Sequence, residues 1–160
     1  MRPILRKTGI VDVQFGEHVI IVEPVNLYGC ILGDQVFIGP FVEIQTNVRI
    51  GAGTRIQSHT FICEGVTIGE GCFIAHGVMF VNDTFSTGGP AGNRGLWKET
   101  TIGNRVSIGS NATILPVRIC DDAVIGAGAV VTHDITTPGA YAGNPARLLT
   151  KTNDHSGTKE

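Results

Sequence analysis

Charge is sparse in this chain. Asp, Glu, Lys and Arg make up 16% of its 160 residues, and the formal net charge is −2. That excludes a global basic field of the kind that draws nucleic acid or an anionic membrane, so an anionic ligand would need a local basic patch. Long apolar runs are absent as well. The longest early one, Val19–Val22, is far too short to span a bilayer. The opening MRPILRKTG has no apolar core of the signal-peptide type, which makes a cytoplasmic protein the simplest reading. There is one Trp, and the four Cys show no C-x-x-C spacing, so the common zinc and redox motifs are missing. Glycine is the exception: 22 are present, without a collagen period.

Apolar residues are present in a strict rhythm. Leu32, Ile38, Ile44, Ile50, Ile56, Ile62, Ile68, Ile74 and Phe80 fall six positions apart. Four places after each sits a second small or apolar residue: Val36, Val42, Val48, Thr54, Thr60, Val66, Cys72, Val78 and Thr84. A helix needs a period near 3.6 and a flat strand a period of 2. A period of six fits short strands separated by tight corners, the hexapeptide pattern of a parallel β-helix. Gly33, Gly51, Gly53, Gly69, Gly103 and Gly128 are among the glycines that fall at corners. Cys30 and Cys72 take inward positions and Cys63 and Cys120 follow an anchor, which suits reduced packing cysteines.

The rhythm also divides the chain, which reads as a single domain of 1–160. Residues 1–18 are expected to be a lead-in and 19–135 the β-helix. Ile20 keeps the register, but Asn26 at the next anchor breaks it. Residues 85–100, FSTGGPAGNRGLWKET, have no period and form an inserted loop. The repeat resumes at Ile102, Ile108 and Ile114, then slips by one to Ile119, Ile125 and Val131. Leu115–Arg118 should be a shortened corner. Residues 136–149 leave the coil as a C-terminal extension, and 150–160 form a polar tail. Three hexads make one triangular coil, so residues 18 apart should stack about 4.8 Å apart. Glu64 should then lie beneath Asn82, and Ser58 beneath His76. Phe37, Phe41, Phe61, Phe73 and Met79 fall outside the inward set, and their exposure as one patch would mark a homo-oligomer interface.

The segments NLYGCILGDQVFIGPFVEIQ, SHTFICEGVTIG, AHGVMFVNDTF and AGNPARLL carry a family resemblance. The chain resembles the left-handed β-helix acyltransferases of the hexapeptide-repeat family, over residues 20 to 149. Within that family it looks like bacterial N-acetyltransferases of nucleotide-linked amino sugars for surface polysaccharides. The resemblance implies an all-β, left-handed parallel β-helix and a homotrimer. It also implies acetyl-CoA as co-substrate, bound between neighbouring coils without a metal, and a projecting loop that helps close the site.

The reaction implied is attack of an amine on a thioester. Histidine suits removal of the proton, and donors near the oxyanion lower the barrier. His76 and Asn82 occupy the same phase of successive hexads, just before the insertion, and are the catalytic candidates. His76 would accept a proton or orient the acceptor; otherwise it is a surface histidine at a corner. Asn82 would hold the amine or the carbonyl; otherwise it is a corner asparagine with left-handed backbone. In the amino-sugar branch the CoA sulfur is an alternative proton acceptor. His59, Glu64, Asp83 and Trp97 are the substrate-binding candidates, each with a plainer role as seam, solvated, turn or loop-anchoring residue. Arg94 and Lys98 flank Trp97 and could pair with phosphates. Gly126, Gly128, Gly143, Asn144, Pro145 and Arg147 match the CoA-binding end of the family.

Other functions remain open on this scaffold. O-acetylation of a sugar or serine hydroxyl leans harder on a histidine base, because a hydroxyl is the poorer nucleophile. A zinc lyase needs three histidines, and no third one joins His59 and His76 in an H-x4-H arrangement. A non-catalytic scaffold would not need the AGNPAR end.

Overall fold

A computed structural model of the protein describes residues 9–149. The polar tail and the first eight residues of the expected lead-in lie outside the described residues. Short strands build three parallel walls, which the chain visits in fixed order. Wall 1 stacks Ile10–Val11, Asn26–Tyr28, Glu43–Ile44, Phe61–Ile62, Met79–Phe80, Thr113–Ile114 and Val130–Val131. Wall 2 runs from Gln14–Phe15 through Ile31–Leu32, Arg49–Ile50, Val66–Ile68 and Thr100–Ile102 to Arg118–Ile119. Wall 3 runs from Ile20–Ile21 through Phe37–Ile38, Arg55–Ile56, Phe73–Ile74, Ser107–Ile108 and Val124–Ile125 to Ala140–Ala142. The result is an all-β parallel solenoid.

Its register is the one that the hexads predict. Ile44 pairs with Ile62, Ile50 with Ile68 and Ile56 with Ile74, each 18 residues on. Every anchor from Leu32 to Phe80 is buried, as is every second inward residue as far as Val78. The three inward hydroxyls are satisfied: Thr54 Oγ1 donates to Gly69 O at 2.9 Å, Thr60 Oγ1 to Ala75 O at 3.0 Å and Thr100 Oγ1 to Leu115 O at 3.4 Å. Thr84 is the exception, since it is exposed. The chain has by then left the coil, so no wall remains to cover it. The insertion lengthens one stacking step from 18 residues to 34: Ile68 pairs with Ile102, and Phe80 with Ile114. The coil above the loop therefore continues in phase. Past the shortened corner the step is 17, with Ile102 on Ile119.

Both ends of the coil differ from expectation. Strands begin at Ile10, inside the expected lead-in. The true anchors of the early turns are Ile21 and Leu27, which pair with Ile38 and Ile44 at a step of 17. Ile20 is 58% exposed. The corner at Gly29–Cys30 is one residue short, so Asn26 faces outward and the register is preserved. At the other end, Ala140–Ala142 stacks on Val124–Ile125 as a further strand of wall 3. Arg147–Leu148 turns back antiparallel on it. The extension thus finishes the wall. The outward apolar residues are spread over two adjoining walls. Phe37 and Phe73 lie on wall 3, Phe61 and Met79 on wall 1, and Phe41 on the corner between them. The Arg55 guanidinium covers Phe37, 4.3 Å from the ring centroid.

Candidate functional site

Two edges of the prism carry the candidate residues. The first is the edge between walls 1 and 2, where the inserted loop leaves and returns. Asn82 O accepts the N–H of Lys98 at 3.0 Å, which closes the loop at its neck. Asn82 Nδ2 donates to Glu64 O at 3.2 Å, as the stacking predicts. Asp83 spends both carboxylate oxygens on the loop itself, accepting from Phe85 N at 2.9 Å and Ala91 N at 2.7 Å. Asn93 caps the short 3-10 turn Arg94–Leu96. That turn sets Arg94 over the Trp97 ring at 5.6 Å and within 3.4 Å of Glu64 Oε2. Glu64 Oε1 also accepts from Asn47 Nδ2 at 3.3 Å. Between the loop and wall 2 lies a cleft of about 370 Å³, lined in part by Arg49, Glu64, Arg94, Trp97 and Lys98. Three cations, set against the carboxylates of Glu64 and Glu99, and a half-buried indole leave it a net positive lining beside a flat ring.

The second edge joins walls 3 and 1. Backbone bonds climb it: His59 N to Pro40 O, Gly77 N to Ser58 O, Asn111 N to His76 O and Gly128 N to Ser110 O. His76 is exposed, and its Nδ1 lies 2.8 Å from Ser58 Oγ, again as the stacking predicts. With Nδ1–H donating to Ser58, Nε2 is the free acceptor that a general base requires. His59 and Phe41 hold the same corner position one coil apart, both at positive φ, and their rings stack at 4.8 Å and 15°. Farther along, Gly128 has open space where a Cβ would stand, whereas Gly126 packs beside Ala142. Gly143, Asn144 and Pro145 form the exposed turn of the terminal hairpin. Val130 N donates to Gly143 O at 2.9 Å, and Ala146 N to Val130 O at 2.8 Å, which docks that turn on the coil end. Arg147 is exposed beside it.

The structure therefore brings Glu64, Asn82, Asp83 and Trp97 together, and puts His59, His76 and Gly128 on another edge. One group was not visible in the hexad pattern. On wall 1, Glu43 accepts from Asn26 Nδ2 at 3.1 Å and Gln45 Nε2 at 3.0 Å, with Tyr28 Oη at 3.5 Å. Partial burial and the Glu43 carboxylate push the Tyr28 phenol above its ordinary range. Steps of 17, set by the shortened corner, place Asn26 beneath Glu43 and Tyr28 beneath Gln45. Among the described residues, no three His, Cys, Asp or Glu side chains converge as a metal site would require.

Known proteins agree with this architecture. Residues 29–64 match the family described as bacterial transferase hexapeptide (six repeats), and residues 99–133 match the hexapeptide repeat of succinyl-transferase. Two stretches of the β-solenoid thus match hexapeptide repeats of transferases. It is 51% identical over 55 residues to galactoside O-acetyltransferase of Escherichia coli, across 34% of this chain and 27% of that protein. It thus spans about a quarter of that relative. Its fold is shared with AntD, an N-acyltransferase from Bacillus cereus solved with dTDP and coenzyme A. There the TM-score is 0.75 at 21% identity, covering 88% of this chain and 84% of that one. It is shared too with GDP-perosamine N-acetyltransferase from Caulobacter crescentus, solved with CoA and GDP-perosamine. That TM-score is 0.65 at 19% identity, covering 89% and 58% of the two chains.

Proposed function

We propose that this protein is an acyl-CoA-dependent N-acyltransferase, using acetyl-CoA to acylate the amino group of a nucleotide-linked amino sugar. The observation that carries this reading is the loop-covered cleft, where Arg49, Arg94 and Lys98 line one polar space with Trp97. Such a lining suits the phosphates and base of a nucleotide sugar. The ligands of the two solved neighbours, dTDP with coenzyme A and GDP-perosamine with CoA, are of the same chemistry. The acceptor cleft and the glycine-containing terminal end lie on different edges of one coil. A complete site then forms where one copy sets its 1/2 edge against the 3/1 edge of another, in a homotrimer.

In that cleft the neutral amine attacks the thioester carbonyl. The C–N bond forms, a tetrahedral oxyanion follows, and the C–S bond breaks to release CoA. The amine's proton passes to His76 Nε2 or to the departing thiolate. In this reading Asn82, its Nδ2 held by Glu64 O, orients the acceptor. A positioned base contributes about 10²–10⁴ in rate, so His76→Ala loses about that much if histidine takes the proton. No helix of the described residues is long and apolar enough to cross a membrane. We assign the protein to the cytoplasm, in the synthesis of a bacterial surface polysaccharide.

The 51% identity to a galactoside O-acetyltransferase favours a second reading, transfer to a sugar hydroxyl. One experiment separates the two. Purified protein is incubated with acetyl-CoA and paired nucleotide sugars that carry either an amine or a hydroxyl at one carbon, with thiol release followed and products identified by mass spectrometry. Turnover of the amine alone supports N-transfer. Turnover of the hydroxyl sugar alone replaces it with O-transfer. Acetyl-CoA left intact with every acceptor overturns the acyltransferase reading.

A further inference from the structure

We propose that the outer rung Phe41–Glu43–Gln45–Asn47 of wall 1 is an acceptor-binding track, with Glu43 the group that receives a sugar hydroxyl. The proposal rests on the N-acyltransferase reading and deepens it. None of the four joins the core, whereas Val42, Ile44 and Val48 between and beside them are buried. Phe41 and Asn47 are its end posts, both at positive φ. The strand Glu43–Ile44 with its two flanking corners carries the rung from one edge of the prism to the next. One end meets the loop-covered cleft through Asn47 and its bond to Glu64. The other meets the edge that carries His59, through the Phe41–His59 stack. There a second depression of about 310 Å³ is lined by Asn26, Phe41 and Glu43 among others.

The rung is polar where the rungs above it are not. The next two rungs of wall 1 carry Phe61 with Cys63 and Met79 with Val81. The strands there are already paired through their backbones, so the wall does not need this network to hold together. Glu43 is nevertheless fixed by two side-chain amides. Gln45 Oε1 continues the chain to Glu64 N at 3.3 Å. A carboxylate has about four acceptor positions, so Asn26, Gln45 and Tyr28 leave room for one more donor. A ring hydroxyl fits that vacancy. The reacting amine does not, because a carboxylate at hydrogen-bond distance would hold it as the unreactive ammonium.

The test is Glu43→Gln beside wild type, with the acceptor and acetyl-CoA titrated separately and the melting temperature recorded. Loss of a hydrogen bond to a charged group raises the acceptor KM about ten- to a hundred-fold, while the acetyl-CoA KM and the melting temperature hold. Gln45→Ala, which releases Glu43 from one side, gives a smaller rise in the same direction. An unchanged acceptor KM in Glu43→Gln overturns the track while leaving the N-acyltransferase reading intact. A fall in melting temperature with equal loss for both substrates also overturns it, since it marks Glu43 as a structural brace. Wild-type protein that acylates no amino sugar overturns both.

Discussion

Asp83→Ala is the sharpest probe of the inserted loop. The Asp83 carboxylate takes two loop N–H groups, at 2.9 and 2.7 Å, and no residue of the Arg94–Leu96 turn is buried. The loop is thus held by its neck and its staples rather than by a core. A hydrogen bond to a charged group is worth about 1.5–3 kcal/mol, but these groups are only half-buried, so both together hold the loop shut by about 2–3 kcal/mol. Removing them raises the open fraction about 30- to 150-fold. Hydrogen exchange reads this directly. The amides of Phe85 and Ala91 should exchange faster by that factor, while Ile102 and Ile114 in the coil keep their rates. The melting temperature should barely change, and the acceptor KM should rise while that of acetyl-CoA holds. Unchanged exchange at Phe85 and Ala91 would refute the staple. Faster exchange throughout the coil would show that the loop supports the fold instead.

Other outcomes follow from corners, charges and thiols. A Cβ on Gly51 would stand 2.5 Å from the Gly69 carbonyl carbon, whereas one on Gly53 meets nothing within 4 Å. Gly53→Ala therefore costs only the positive-φ penalty of about 1–2 kcal/mol, and Gly51→Ala lowers the melting temperature much further. Asp121 accepts from Asn104, and Asp122 pairs with the Arg105 guanidinium; both carboxyls are held below the usual aspartate range. Depressed folded-state values stabilise above the unfolded pKa. The melting temperature should thus fall as pH drops below about 4, and less steeply in Asp122→Asn. Burial pushes the Cys30 and Cys63 thiols up to about 11 and raises Cys72. A thiol reagent at pH 8 should therefore label Cys120 in native protein and the other three only after unfolding.

The repeat was legible because the core is one-dimensional. Each inward position sees only the coil above and below, so a strict six-residue rhythm suffices to stack Ser58 on His76 and Glu64 on Asn82. Positions failed where a corner changed length. One residue fewer at Gly29–Cys30 turned Asn26 from a broken anchor into an outward donor to Glu43. Spacing alone gives no sign of that, because Ile20 is as apolar as the true anchor Ile21. The Glu43 network escaped for a related reason. Outward residues have no hydrophobic period, and only the shifted step of 17 aligns their polar side chains. The loop had no period to read at all. Asp83 reads equally as a ligand group or a turn residue until Ala91, eight residues on, is brought back to it.

The separation of the two edges gives the most direct test of the account. His76 stands on the 3/1 edge and Trp97 on the 1/2 edge, and the proposed site joins those edges from different copies. His76→Ala and Trp97→Ala proteins, each impaired alone, can be unfolded, mixed in equal amounts and refolded together. If the edges meet between copies, some sites receive both intact residues. Activity should then recover to about a quarter of wild type, as random assembly of a closed ring requires. A mixture no more active than the two variants refolded separately would contradict the account.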